Sequence, residues 1–395
     1  MRCRYLSLFV AAAAWLAVAS DALSAESLTL LEGQEVAGEI ATIDAAGKVT
    51  GKDLPDNLDL NGLRKIVREV PAAANDKPGV ILELIGGGRL LADSVTIASE
   101  KFVVKWSHGE DLLLPIDAVR AVRLKPAGKD DNFDAALAKP SADNDRLFVE
   151  IDGKLSMLVG LVESLAADKV VFQYEGQQQS LATEKLFGIV VAQAGAGGKS
   201  NSGVVVELAD GSRIAGVVKT LAEGKLSLTV GASAAVSVPW SAVRTMAIRS
   251  ARLAFLSDLD PTRVKEQPIV TLAAPWQRDR NVYRKTLTIG ERKFDRGLGT
   301  HASSELAFNV DGQFDTFAAF IGIDALAAGK GDCLFVVQGD GRELARERMT
   351  GRDAGKELKL DIRGVKELVL VVEAGEDLDL ADLADWADAR VIRQK

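Results

Sequence analysis

Imidazole is the scarcest polar group in this sequence: His108 and His301 are its two histidines. His301 follows the run Gly297-Leu298-Gly299-Thr300, where missing side chains let backbone and ligand come close. A neutral imidazole donates one hydrogen bond and accepts another, which suits sugar hydroxyls. The competing reading is a histidine that fixes its own loop through backbone hydrogen bonds, because polar groups at a buried turn must be satisfied. His108, in Ser107-His108-Gly109-Glu110, reads as a solvated hairpin tip. A second cluster is Trp276, Arg278, Asp279, Arg280 and Tyr283, where Trp276 and Tyr283 can stack on a pyranose and Arg280 can bond its hydroxyls. A third is the acidic stretch from Glu376 to Asp388, which sets Asp377, Asp379, Asp382, Asp385 and Asp388 around Leu378, Leu380, Leu383 and Trp386. Such a run is ordinarily a solvated face. The same oxygens also suit a hard cation such as calcium.

The common catalytic arrangements are missing. Nucleophilic hydrolysis needs a Ser or Cys beside a base and an orienting acid, and neither histidine sits in a matching motif. No His-Glu-x-x-His zinc pattern, Gly-x-Ser-x-Gly elbow or cysteine pair occurs. Gly86-Gly87-Gly88 has no following Gly-Lys-Ser/Thr and reads as a hairpin turn, while Gly198-Lys199-Ser200 precedes a strand-like Val204-Val205-Val206 and reads as linker. A glycosidase needs only two suitably spaced carboxylates, so a cryptic glycoside hydrolase stays open as the least favoured reading.

The elements that must position these groups are strands. Residues 1–25 have the charged start, apolar middle and small-residue end of a secretory signal peptide, so the protein is expected to be secreted, into the periplasm or beyond the cell. Its apolar stretch is short for a membrane span, and no later segment approaches the roughly 20 apolar residues a helix needs to cross. With Cys3 in that signal, Cys333 is left without a partner, and the fold must rest on hydrophobic cores or bound ions. A net charge of −8 gives no electrostatic reason to bind nucleic acid.

Four segments share an alternating strand, a Gly-centred turn, further alternating strands and a short polar turn into a last apolar strand. Their turns are Glu32-Gly33, Gly87-Gly88, Asp152-Gly153 and Asp210-Gly211, unevenly spaced. Val80-Ile81-Leu82-Glu83-Leu84 matches Val204-Val205-Val206-Glu207-Leu208, and Leu114-Pro115-Ile116 matches Val238-Pro239-Trp240. This pattern predicts small SH3-like or Sm-like β-barrels at 26–72, 78–126, 144–193 and 203–250, packed on one another because each is marginal alone. Residues 125–145 and 193–203 read as linkers.

Residues 251–395 predict a further all-β unit, with short strands at 306–310, 316–323, 334–338 and 367–372 between Asp-Gly and Gly-Lys turns. Several stretches in order carry a resemblance: Phe255-Leu256-Ser257-Asp258-Leu259, Gly297-Leu298-Gly299-Thr300-His301-Ala302, Val310-Asp311-Gly312, Gln338-Gly339-Asp340-Gly341, Gly364-Val365-Lys366-Glu367-Leu368 and Ala384-Asp385-Trp386-Ala387-Asp388-Ala389. The region resembles the NPCBM/NEW2 family, carbohydrate-binding modules associated with family 98 glycoside hydrolases and common in secreted planctomycete proteins.

That resemblance implies a galactose-binding-like jelly-roll β-sandwich with binding loops at one end, following the tandem barrels. It implies a non-catalytic protein whose partner is a galactose-like or other cell-surface glycan, with His301, Trp276, Arg280 and Tyr283 as ligand-binding residues. By analogy with related jelly rolls, Asp388 and then Asp385 are the expected ligands of a structural calcium. The family usually has His where Leu383 stands, so binding is altered here if that His contacts ligand. Trp386 is expected to be buried in the sandwich. The alternative is an envelope scaffold that binds proteins through strand edges or loops.

Overall fold

The computed structural model describes residues 26–71, 79–125, 131–151, 153–193, 203–270, 274–376 and 378–394. The signal segment, Gly198-Lys199-Ser200 and Asp377 lie outside them. Nearly all of it is β-structure, as the period-two patterning requires. Among the described residues no helix is long and apolar enough to cross a membrane.

One pairing scheme recurs along the first part of the chain. In residues 203–249, strand Gly203–Leu208 pairs with the first half of Arg213–Ala222, Val204 lying opposite Gly216. After a register shift at Val218/Thr220, the second half of that long strand pairs with Lys225–Val230. Ala234–Pro239 follows, and the 3-10 turn Trp240–Ala242 returns Val243–Arg249 to the first strand. The bend falls at Gly216 because a Cβ there would lie 2.5 Å from the Thr229 carbonyl oxygen. Gly160 holds the same place in residues 145–190, where a Cβ would lie 2.1 Å from the Gln173 oxygen.

Residues 80–123 repeat the scheme, and 26–67 repeat it with no strand between Val49–Lys52 and Leu63–Val67. These units join by their last strands. Ala121 lies opposite Val190, linking the second unit to the third, and Thr245 opposite Val67, linking the first to the fourth. Each pair also touches where its long strands end, Leu165 opposite Ile97 and Leu221 opposite Ile43. One apolar core runs through all four units, from Leu28 to Ile248. Sequence order thus misleads about packing, since the first unit joins the fourth rather than its neighbour.

The stretch expected as a linker between 125 and 145 contains the α-helix Asp131–Ala138. Phe133 anchors it, with its ring centroid 5.1 Å from that of Phe148 and 5.5 Å from that of Phe187. His108 is not a solvated tip. It is nearly buried, with Nε2 2.9 Å from Asp210 Oδ2 of the fourth unit.

Beyond residue 250 two antiparallel sheets form a β-sandwich. One runs Gln277–Arg278, Gly297–His301, Leu383–Ile392, Thr316–Ile323 and Lys356–Asp361. The other runs Arg263–Glu266, Ser304–Asn309, Glu367–Ala374, Asp332–Gly339 and Arg342–Thr350. Phe308, Phe317, Phe335 and Trp386 are fully buried between them, Trp386 meeting Phe335 edge-on at 4.8 Å. Burial of a side chain of this size stabilises by roughly 1.5–3 kcal/mol, so these rings hold the two sheets in register.

Candidate functional site

Strand Gly297–His301 runs antiparallel to Leu383–Ile392, which puts His301 opposite Leu383 at one end of the sandwich. The chain then crosses to the other sheet in a tight turn through Ser303, at φ 62°, with Ser304 Oγ donating to the His301 carbonyl at 2.6 Å. In that second sheet Ser304 pairs with Glu266. The crossing therefore brings together a histidine and a glutamate from different sheets.

His301 is 7% exposed. Its Nδ1 lies 2.6 Å from the Ala302 carbonyl oxygen, and since a carbonyl can only accept, Nδ1 carries the proton. In the neutral ring this leaves Nε2 as an acceptor, without a hydrogen-bond partner and 3.6 Å from Glu266 Oε1. Glu266 is held in turn, its Oε1 accepting from the Trp276 backbone N–H at 2.7 Å. Two fixed acceptors at this spacing call for hydrogen donors from outside. A ligand with two adjacent hydroxyl donors has the chemistry to meet that demand.

Trp276 is half-buried, with the Arg278 guanidinium 5.1 Å from its ring centroid. Arg278 is locked by the carbonyls of Ser257 and Leu259, at 2.9 and 2.7 Å, and by Asp260 at 2.7 Å. Of the four expected ligand-binding residues, His301 and Trp276 converge here through Glu266. Arg280 and Tyr283 do not. Strand Gln277–Arg278 runs antiparallel to 297–301, with Gln277 opposite Gly299, and the chain after it turns back so that the backbones of Arg280 and Asn281 pack over Gly299. Arg280 is exposed and bonds the Asp279 carbonyl, while exposed Tyr283 lies in a turn whose amides are held by Asn281 Oδ1. No hydrogen bond, ion pair or ring contact among the described residues joins either one to His301, Glu266 or Trp276.

The acidic stretch is not a solvated face, for Asp379, Asp382 and Asp385 are buried. Asp379 accepts from the amides of Ile269 and Val270, at 2.7 and 3.0 Å, and so ties the 267–270 loop to the last loop of the sandwich. Asp382 accepts from the Asp332 amide at 2.7 Å. Around these ties Ile269, Val270, Leu378 and Leu380 are exposed and rim the His301 end.

The two expected calcium ligands are not brought together. Asp388 lies toward the far end of its strand, where Oδ1 and Oδ2 accept from Arg64 at 2.5 and 2.8 Å and Oδ2 accepts from Arg390 at 2.6 Å. Asp385 is enclosed in the core beside Asp324. Burial, reinforced by the Asp324 carboxyl, pushes the Asp385 carboxyl well above the usual carboxylate range. Among the described residues no three His, Cys, Asp or Glu side chains gather as a metal site. At Asp388 the guanidinium groups of Arg64 and Arg390 place two positive charges against the carboxylate.

Comparison with known proteins places the sandwich. Residues 252–392 match the NPCBM/NEW2 domain. This chain is similar to a curated protein of Renibacterium salmoninarum named "Putative endo-alpha-N-acetylgalactosaminidase", 33% identical over 107 residues, which are 27% of this chain and 7% of that protein. The chain thus spans a small part of that relative's length. Among solved structures, it is similar to the CBM51 module of a Clostridium perfringens GH95 protein in complex with methyl-galactose. That likeness is 30% identical over 35% of this chain and 99% of the other, with a TM-score of 0.33. The Clostridium perfringens ZmpB structure of CBM51-2 with GlcNAc and INT domains is 29% identical over 43% of this chain and 36% of the other, also at 0.33.

Proposed function

We propose that this is a secreted, non-catalytic protein whose NPCBM/NEW2 segment binds a glycan at the His301 end of its sandwich. The observation that carries the reading is the pair of acceptors, His301 Nε2 and Glu266 Oε1, 3.6 Å apart and fixed from behind by Ala302 and Trp276. Two acceptors without an intervening donor suit recognition of a diol. Trp276 contributes its backbone N–H to holding Glu266, with its ring packed on the sandwich core and against Arg278. The four N-terminal units act in this reading as SH3-like spacers that present the sandwich.

Leu383 sets the limit on polarity. It lies across from His301, where a histidine would add a further donor or acceptor. With leucine there, the sugar is held by one imidazole and one carboxylate, and binding is weak. The test is titration of the purified chain with a glycan panel that includes methyl galactoside and GlcNAc, alongside Glu266→Gln. Saturable binding that drops in the variant supports the reading, while binding indifferent to Glu266 would sink it.

A second reading is favoured by the exposed rim of Ile269, Val270, Leu378 and Leu380, which suits a polypeptide of the cell envelope better than a polyol. Competition separates the two. A free sugar displaces a glycan ligand and leaves a protein ligand in place.

A further inference from the structure

The second and fourth units meet through a face that the third unit repeats on its surface with no partner among the described residues. At that junction the first halves of two long strands come edge to edge and antiparallel, Arg213 opposite Arg89. Leu91 N–H donates to Ser212 Oγ at 2.9 Å, and the backbone of Arg213 and Ala215 packs closely on the Gly86–Gly88 turn, where a Cβ on Gly88 would lie 3.1 Å from the Arg213 carbonyl oxygen. The contact is self-complementary, because equivalent positions of two sister units face each other, as across a twofold axis.

Counting back from the residues that end each long strand, Leu165, Leu221 and Ile97, the equivalents of Arg213 and Arg89 in the third unit is Met157, and the equivalent of Ala215 and Leu91 is Val159. The register shifts at Val162/Ser164 and Val218/Thr220 fall at the same step, so the alignment holds through the bend. Met157, Val159 and the next residue on that face, Leu161, are 50%, 43% and 48% exposed. A groove against the helix, lined by Ala136, Phe148 and Leu155, opens beside Met157. The first unit carries Glu35 and Ala37 at the same two positions, so its face is charged. Leu161 is already paired with Gln173, whereas Met157 and Val159 pair on one edge alone, and an apolar strip on such an edge invites pairing unless something covers it.

We propose that this strip is the interface of a homodimer, in which the third units of two chains pair antiparallel about a twofold axis near Met157. The occupant is a second copy, because the sister units already show that this face docks on its own equivalent. Residue 157 then lies opposite residue 157 of the other copy, at a backbone separation of about 4.5–5.5 Å, within the reach of a disulfide.

The experiment is sedimentation or light scattering of the purified chain over a micromolar concentration series, with Met157→Lys/Val159→Lys and Met157→Cys beside it. Twice the chain mass for the parent, the single-chain mass for the double lysine variant with an unchanged melting temperature, and a disulfide-linked dimer of Met157→Cys on mild oxidation are expected. Val217→Cys, exposed on the fourth unit, should give none. Should the lysine variant not fold, the cysteine arm decides alone. A parent that stays at single-chain mass throughout, a dimer that survives both lysines, or equal cross-linking from 157 and 217 would overturn the proposal.

Discussion

Arg64 of the first unit and Asp388 of the sandwich's last strand form a two-point ion pair, with contacts of 2.8 and 2.5 Å. Arg390, almost fully buried, completes the junction by bonding Asp388 and the carbonyls of Leu31 and Glu32. Asp388 therefore neutralises two arginines that would otherwise be charged and largely dry. Asp388→Ala should cost about 3–5 kcal/mol, the usual result of leaving buried charge uncompensated. Denaturant unfolding measures this, and a chelator should not move the midpoint. A midpoint that falls on chelation and recovers with calcium would restore Asp388 as a metal ligand.

The buried Asp385 gives the sandwich a pH signature. Its folded pKa is raised by burial and by Asp324, so the stability linked to its proton is fully present below the unfolded value of about 3.9 and is lost as pH rises through the folded value. Asp385→Asn holds the same shape without the ionisation. Melting temperatures across that range should decline for the parent and stay flatter for the variant, which should be the more stable at neutral pH. Parallel profiles would show that Asp385 does not carry the effect.

Asp210 has the opposite sign. Burial raises its pKa, but hydrogen bonds from His108 and Ser212 and the nearby imidazole outweigh that and lower it. Its contribution is present above the unfolded carboxylate value and is lost as pH falls through the folded one. Asp210→Asn should weaken the junction of the second and fourth units at neutral pH and flatten the acid limb of the unfolding profile. An unchanged acid limb would show that other carboxylates set it.

Trp386 is fully enclosed and meets Phe335, so Trp386→Ala should cost about 3–5 kcal/mol of sandwich stability. The loss should appear in the melt and not in the affinity of the fraction that remains folded. A large affinity change at full folding would make Trp386 a ligand contact instead.

How far the sequence could be read depended on whether a residue's role is local. Strand alternation is local, and the all-β class follows from it, while the burial of Trp386 is expected from the family motif around it, because its own strand does not alternate. His301 stood out because imidazole is rare here and a Gly-x-Gly run precedes it. Glu266 did not, because its role depends on strand 263–266 pairing with 304–309 across the turn after His301. The only local hint was an acidic residue closing Val264-Lys265-Glu266 shortly before Pro268. Arg280 and Tyr283 looked like neighbours of Trp276, and the chain between them turns back so that the Arg280 backbone packs over Gly299, a placement no local pattern reveals. The aspartates from 379 to 385 looked solvated because nothing in the sequence reveals which backbone amides or buried groups they meet. Joining of the first unit to the fourth was equally hidden, since all four units have similar last strands.

The most direct measurement of the central claim is calorimetric titration of the chain and its Glu266→Gln and His301→Ala variants with whichever sugar of the panel binds best. His301→Ala removes one acceptor, and Glu266→Gln replaces a charged acceptor by a neutral amide with one oxygen, so each should lose about tenfold in affinity, near 1.4 kcal/mol, with Glu266→Gln keeping the parent's melting temperature. Full affinity in a well-folded Glu266→Gln chain would contradict the assignment of this end of the sandwich as the glycan site.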